Sequence, residues 1–258
     1  MGLDGSTPSL FRHGEPARML KPDRLAIGLV LASGILAVLA VQTDNPVGAL
    51  LLGWTAVACA ITGLAYHQNW PWVHGKRAGR LTWRSLPTFP FLAAYRLACP
   101  IVRSLHPDSE PLTHIGAGIW VGGRIPDGQL PPGKPAILDL TAEVNEHAAI
   151  RCLPGYRQLA ALDGHLPRDE ELADAIRALA RVSAPVVIHC ESGRGRAPTT
   201  AAGVLLARGL AYSIDEAFDQ IRSQRRIAPT LSDYRALERI RPTLLVARGT
   251  RPNPESSR

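Results

Sequence analysis

VVIHCESGRGRAP, residues 186–198, joins a short apolar run to a cysteine, a glycine-spaced loop and two arginines. Val186–Ile188 has the β-branched composition of a buried strand. Pro198 suits the first turn of a helix, and PTTAAGVLLARG (198–209) continues as one and closes on Gly209. The residues after Cys190 must therefore turn the chain sharply. Gly193 and Gly195 permit the backbone angles that such a turn requires. A loop of this kind at a helix N-terminus points successive N–H groups inward and forms an anion-binding nest. The backbone amides of Glu191, Ser192, Gly193, Arg194 and Gly195 would face the anion, and Arg196 adds a planar fork of donors matched to phosphate oxygens. Helix N-termini and nearby cations favour a thiolate over a thiol, and the thiolate is the nucleophile. One loop can thus supply both a nucleophile and a cradle for a phosphoryl group.

Working outward, GIWVGG (118–123), PAILDL (135–140) and YRQLAAL (156–162) read as further strands. RDEELADAIRALARV (168–182) reads as an amphipathic helix with acids early and arginine late, as the helix dipole prefers. SIDEAFDQIRSQR (213–225) opens on Ser213 with Glu216 three residues later, a capping box. LSDYRALERIRPTLLVA (231–247) is a last helix. Strands alternating with helices imply an α/β unit with a central sheet flanked by helices.

Upstream the texture differs. Leu25–Val41 and Val47–Tyr66 carry no charge, and at about 1.5 Å per helical residue the second is long enough for a bilayer core while the first is at the short limit. Arg12, Arg18, Lys21 and Arg24 precede the pair, Lys76, Arg77, Arg80 and Arg84 follow it, and the turn Gln42–Pro46 has no basic residue. This bias predicts a two-pass transmembrane hairpin with both ends in the cytoplasm, at the inner membrane if the cell is bacterial. A cleaved signal peptide is the competing reading of the first span, since small residues precede Val41. FPFLAAYRLACPIV (89–102) is apolar but interrupted by Arg96 and prolines. It fits either a helix on the membrane surface or one packed on the folded unit. The expected organisation is a cytoplasmic segment 1–24, the hairpin 25–66, a juxtamembrane linker 67–111, a catalytic unit 112–248 and a disordered tail 249–258.

The totals exclude several classes. The formal charge is +7, yet Lys21, Lys76 and Lys134 are the only lysines and no basic run is interleaved with aromatics, so no nucleic-acid partner is expected. Cys59, Cys99, Cys152 and Cys190 form no CxxC pair and no disulfide-like spacing, which suits a reducing compartment.

HCESGRGR resembles the active-site loop of the cysteine-dependent phosphatases of the dual-specificity type: Cys190, five residues, then Arg196, with His189 before and Gly193 within. The resemblance runs from about Thr113 to Ile240. IWVGGRIP and ILDLTAE look like the family's opening strands, and RSQRRIAPTLSDY like its closing arginine-bearing segment. A rhodanese-like sulfur carrier also uses a cysteine loop, but YRQLAALDGHLP fits it poorly, because this stretch resembles the segment that carries the family's general acid. The resemblance implies a dual-specificity-phosphatase-like fold and a phosphocysteine mechanism without metal or cofactor. Cys190 would be the nucleophile, Asp163 the general acid and Arg196 the phosphate clamp. His189 would support the loop, and the Glu191 side chain would point to solvent. Asp169 is the rival acid, though a carboxylate at a helix start is commonplace. The expected substrate is a phosphotyrosine or phosphoserine protein. A lipid phosphate, as in phosphatidylglycerophosphate phosphatases, is the main alternative, and a weakly catalytic phospho-binding module is another. Two departures stand out. Ala197 occupies the place of the family's Ser or Thr after the loop arginine, where Thr199 or Thr200 would have to substitute. Glu191 stands where many relatives have a basic residue. A second cysteine pairs with the nucleophile in some relatives, which makes Cys152 a partner for Cys190, or else a buried apolar thiol.

Overall fold

The computed structural model describes residues 22–104, 110–126, 129–183 and 185–249. Its helices are α1 (Pro22–Gln42), α2 (Pro46–Gln68), α3 (Phe89–Ser104), α4 (Ala148–Arg151), α5 (Asp169–Ala180), α6 (Arg196–Arg208), α7 (Ile214–Arg222) and α8 (Leu231–Gly249). Its strands are β1 (Lys76–Arg77), β2 (Arg80–Leu81), β3 (Leu112–His114), β4 (Ile119–Gly122), β5 (Ala136–Thr141), β6 (Tyr156–Ala161) and β7 (Val186–His189). β3 to β7 form one sheet in the order β3-β4-β7-β5-β6, parallel except for the β3–β4 pair. The fold is α/β with a mixed central sheet and flanking helices.

β7 lies between β4 and β5, with His189 in register with Gly122 on one side and Asp139 on the other. All four of its residues are buried, which explains why it reads as a continuous apolar run rather than an alternating one. On one face, Val121, Leu138, Leu140, Val186 and Ile188 pack against Leu172 and Ile176 of α5, Val204 and Leu205 of α6, Phe218 and Ile221 of α7 and Leu237 of α8. α6 is buried from Arg196 through Leu206, so its first turn and the loop before it are held by the core itself. α7 begins as the sequence predicts, with the Glu216 N–H donating to Ser213 Oγ at 3.1 Å.

α1 and α2 form an antiparallel hairpin. Asn45 caps α2 by accepting from the Val47 and Gly48 amides at 3.0 and 3.4 Å, and Pro46 fills the first turn. Both helices are long and apolar enough to cross a membrane. Their outward side chains, including Ile27, Leu31, Ile35, Leu50 and Val57, are exposed. Arg12, Arg18, Lys21 and the tail from residue 250 lie outside the described residues.

Within the expected juxtamembrane linker, residues 71–104 form short helices and strands. β1 and β2 pair as a small hairpin that delivers Lys76 to the sheet. The Lys76 ammonium is buried and donates to Asp139 Oδ2 at 2.6 Å and to Thr141 Oγ1 at 2.6 Å. Burial pushes the Asp139 carboxyl up, but Lys76 and His189 outweigh this and hold it at about 2. Removing one partner of such a pair costs about 3–5 kcal/mol, because the other charge is left buried alone. α3 packs on the folded unit with one face: Leu92 is fully buried, and the Phe91 ring stacks on His74 and meets Tyr66 edge-on. Its other face leaves Leu97, Ile101 and Val102 exposed. Trp54, midway along α2, donates from Nε1 to Leu86 O at 3.2 Å and stacks on Phe89. Part of α2 is therefore covered by protein.

Candidate active site

The loop after β7 turns back on itself around Cys190. Gly193 adopts a φ of +69° and directs its N–H to Cys190 Sγ at 3.2 Å. A side chain at Gly193 would overlap the backbone of Gly122 and Gly123 and the Arg225 guanidinium, so glycine is required there on two counts. Arg225 clamps the loop from outside: Nε donates to Gly193 O at 3.0 Å, and Nη1 donates to Glu110 O at 2.7 Å and Thr113 Oγ1 at 3.0 Å. The loop is thus tied to β3 by a residue whose role the sequence motif does not reveal.

Cys190, Ser192, Gly195 and Arg196 line one pocket together with Asp163, Gly164, His165, Ala228, Thr230 and Asp233. The expected nucleophile, clamp and acid therefore meet in one place. Arg196 is buried, and its Nη1 donates to Ala161 O at 2.6 Å and Leu140 O at 3.1 Å. Its Nη2 donates to Asp163 Oδ1 at 2.8 Å. Asp169, the rival acid, pairs instead with Arg239 at 2.5 Å on the surface.

Glu143 lies beneath this pair, fully buried, with Oε2 3.8 Å from Arg196 Nη1. Its Oε1 accepts from the Asp163 backbone N–H at 2.7 Å and from Tyr66 Oη at 3.1 Å. Burial pushes the Glu143 carboxyl up, while Arg196 pulls against it. Tyr95 of α3 donates from Oη to Asp163 Oδ2 at 3.3 Å. Burial and the charges of Asp163 and Glu143 hold the Tyr95 phenol well above its ordinary range, so it stays protonated and remains a donor.

His189 is buried behind the loop, with Nε2 3.2 Å from Glu146 Oε2. Asp139, Glu146 and His189 bring ligand atoms within 4.8 Å of one another. The Lys76 ammonium already holds Asp139, so a metal ion there would meet a second positive charge at close range.

Two side chains differ from expectation. Glu191 is buried, not solvent-facing, and meets the Cys99 thiol of α3. The Cys99 thiol of α3 beside it is pushed up to about 12, by burial first and the Glu191 charge second. Cys152 is exposed at the end of α4 rather than a buried apolar thiol, and both it and Cys190 are free. Ala197 is fully buried. Thr199 and Thr200 donate their hydroxyl protons to Gly195 O and Arg196 O at 2.9 and 3.0 Å, and the Thr199 hydroxyl also lies beside the Asp233 carboxyl of the pocket. The sequence motif missed Glu143, Tyr66, Tyr95 and Arg225. The run ILDLTAE held a signal for the first, an acid where a buried strand ends.

Residues 137–245 match the family model described as "PTP-SAK: Swiss Army Knife protein, DSP-PTPase phosphatase domain". No curated protein matches the chain. Among solved structures, PTPMT1 in complex with PI(5)P is 17% identical, with 55% of this chain and 100% of that one covered and a TM-score of 0.47. A mouse putative dual specificity phosphatase complexed with zinc tungstate is 19% identical over 54% of this chain and 93% of that one, with a TM-score of 0.42. Human DUSP28 is 17% identical over 53% of this chain and 97% of that one, also at a TM-score of 0.42.

Proposed function

We propose that the chain is a cysteine-dependent phosphomonoester phosphatase held at a membrane by its N-terminal hairpin, a reading supported by the match of residues 137–245 to a model of DSP-PTPase phosphatase domains. The Cys190 thiolate attacks phosphorus, and the S–P bond forms as the P–O bond to the leaving group breaks. Asp163 gives its proton to the departing oxygen. Water activated by the same carboxylate then cleaves the S–P bond, which releases inorganic phosphate and restores the thiolate. The loop amides from Glu191 to Gly195 and the Arg196 fork hold the phosphoryl oxygens, and His189 supports the loop from behind. The observation that carries this reading is the convergence of Cys190, Arg196 and Asp163 on one pocket, with the Gly193 amide turned onto Sγ.

Between a phosphoprotein and a lipid phosphate, the position of the pocket favours the lipid. His165 lines the pocket, and its ring meets Tyr66 near the end of α2 at 6.0 Å. Asn69, which ends α2, donates to Leu166 O at 3.0 Å. A phosphate ester at the bilayer surface lies within reach of such a pocket. The test is side-by-side turnover of phosphatidylglycerophosphate and a phosphoinositide in vesicles and of a phosphotyrosine peptide in solution. A higher kcat/KM on one of the lipids is expected. Faster turnover of the peptide would assign a protein substrate. Retained binding without turnover of any substrate would make the domain a phospho-binding module.

We further propose that the hairpin crosses the membrane twice and leaves the catalytic unit 112–248 in the cytoplasm. A reporter active only outside the cytoplasm is expected to give signal when fused after Asn45 and none after Arg258. Silence at both positions would place the hairpin in the near leaflet without crossing, and the reverse pattern would invert the topology.

A further inference from the structure

Helices outside the matched phosphatase segment reach directly into the acid loop. Tyr66 lies near the end of α2, and Tyr95 lies on α3. Tyr66 is fully buried and donates to Glu143 Oε1, the same oxygen that accepts the Asp163 backbone N–H. Tyr95 donates to the Asp163 carboxylate itself. Asn69 fixes the loop three residues further on by donating to Leu166 O.

The need for these contacts follows from the chemistry of Arg196. Its Nη2 holds Asp163 Oδ1 at 2.8 Å. A phosphate dianion must take that fork to bind, since the guanidinium is the planar donor in the pocket matched to phosphate. Asp163 then loses its strongest partner at the moment it must face the leaving oxygen. Among the described residues, its carboxylate has one other side-chain partner, Tyr95 Oη. Its backbone stays fixed through Glu143, which Tyr66 holds in turn.

We propose that Tyr95 and Tyr66 are positioning residues for the general acid, so that the apolar N-terminal helices complete the active site as well as anchoring the chain. Tyr95 orients the Asp163 carboxyl directly. Tyr66 orients its backbone through Glu143. The inference rests on the phosphatase reading with Asp163 as the acid.

The test uses the full chain in detergent and two aryl phosphates that differ in how much they need an acid. Phenyl phosphate has a poor leaving group that requires protonation, whereas p-nitrophenyl phosphate has a good one that scarcely does. Tyr95→Phe is expected to lower kcat on phenyl phosphate about tenfold more than kcat on p-nitrophenyl phosphate, a fraction of the full general-acid contribution, with KM close to wild type. Tyr66→Phe keeps the buried ring and should shift the ratio in the same direction. In an Asp163→Asn background, Tyr95→Phe should cause no further loss, because the two act through one step. Equal slowing of both substrates, no slowing, or full additivity with Asp163→Asn would overturn the inference and leave the phosphatase reading standing. A wild-type protein inactive on both substrates would remove that reading and this inference with it.

Discussion

Cys190→Ser is expected to lower phosphatase turnover by at least about three orders of magnitude, as loss of a covalent nucleophile does. Serine is close to isosteric with cysteine, and residue 190 is buried in a packed loop, so the fold should be retained. The Gly193 amide that reaches Sγ at 3.2 Å would meet the hydroxyl instead. A serine hydroxyl in the same nest remains protonated and is a poor nucleophile without an adjacent base. The neighbouring His189 faces Glu146 behind the strand and is not turned toward position 190. The loop amides and Arg196 are untouched, so inorganic phosphate should still bind to the variant. Calorimetric titration together with steady-state kinetics on an aryl phosphate checks both halves. Turnover near the wild-type rate would refute the nucleophile assignment.

Arg196→Lys is expected to lower kcat/KM by about 10²–10³, comparable to removing one preorganised donor from an oxyanion site. A lysine ammonium is a point charge and cannot form the two parallel bonds of the guanidinium fork. Arg196 also donates to the carbonyl oxygens of Leu140 and Ala161 and to Asp163, so the substitution loosens the acid loop as well as the phosphate hold. Arg196→Ala should be worse in a separable way. It leaves the buried Glu143 carboxylate without its cation, at a cost of about 3–5 kcal/mol of stability. Thermal unfolding should therefore rank wild type above Arg196→Lys and that variant above Arg196→Ala. Wild-type kcat/KM in Arg196→Lys would show that the fork is not the phosphate clamp.

The parts of the fold legible in the sequence are those written in local pattern. Val186–His189 reads as a buried strand because both of its faces are covered, and the glycines after Cys190 read as a turn because one of them does adopt a positive φ. The capping box at Ser213 and the acids that open α5 depend on neighbours within one helical turn, and they appear where expected. The sequence favours Asp163 over Asp169, since Asp163 follows a strand in a segment resembling the family's acid loop while Asp169 sits at a helix start. The fold separates them by giving Asp169 a surface arginine and Asp163 the pocket arginine.

What the sequence concealed depends on partners far along the chain. Lys76 looks like one of several basic residues flanking a membrane span, yet it is buried against Asp139, 63 positions away. The stretch 67–111 reads as a linker because its prolines, glycines and arginines lack periodicity, and the structure of its residues 71–104 comes from docking on the sheet and on α2. Glu191 was expected at the surface because the loop alone gives it nothing to pack against, but it is buried and meets the Cys99 thiol of α3. FPFLAAYRLACPIV fitted either a membrane surface or a packed helix. It packs through Leu92 and Tyr95 while leaving Leu97 and Ile101 exposed, so periodicity alone could not assign it to one environment.

The central claim is a phosphate carried covalently by Cys190. Ala197 offers no hydroxyl to assist breakdown of that intermediate, which favours its accumulation. The most direct measurement is acid quenching of wild-type protein during turnover of an aryl phosphate, followed by peptide mass spectrometry. The account predicts a phosphoryl group on the peptide containing Cys190, and none on the corresponding peptide of Cys190→Ser. A phosphoryl group on another residue, or undiminished turnover by Cys190→Ser with position 190 unmodified, would contradict it.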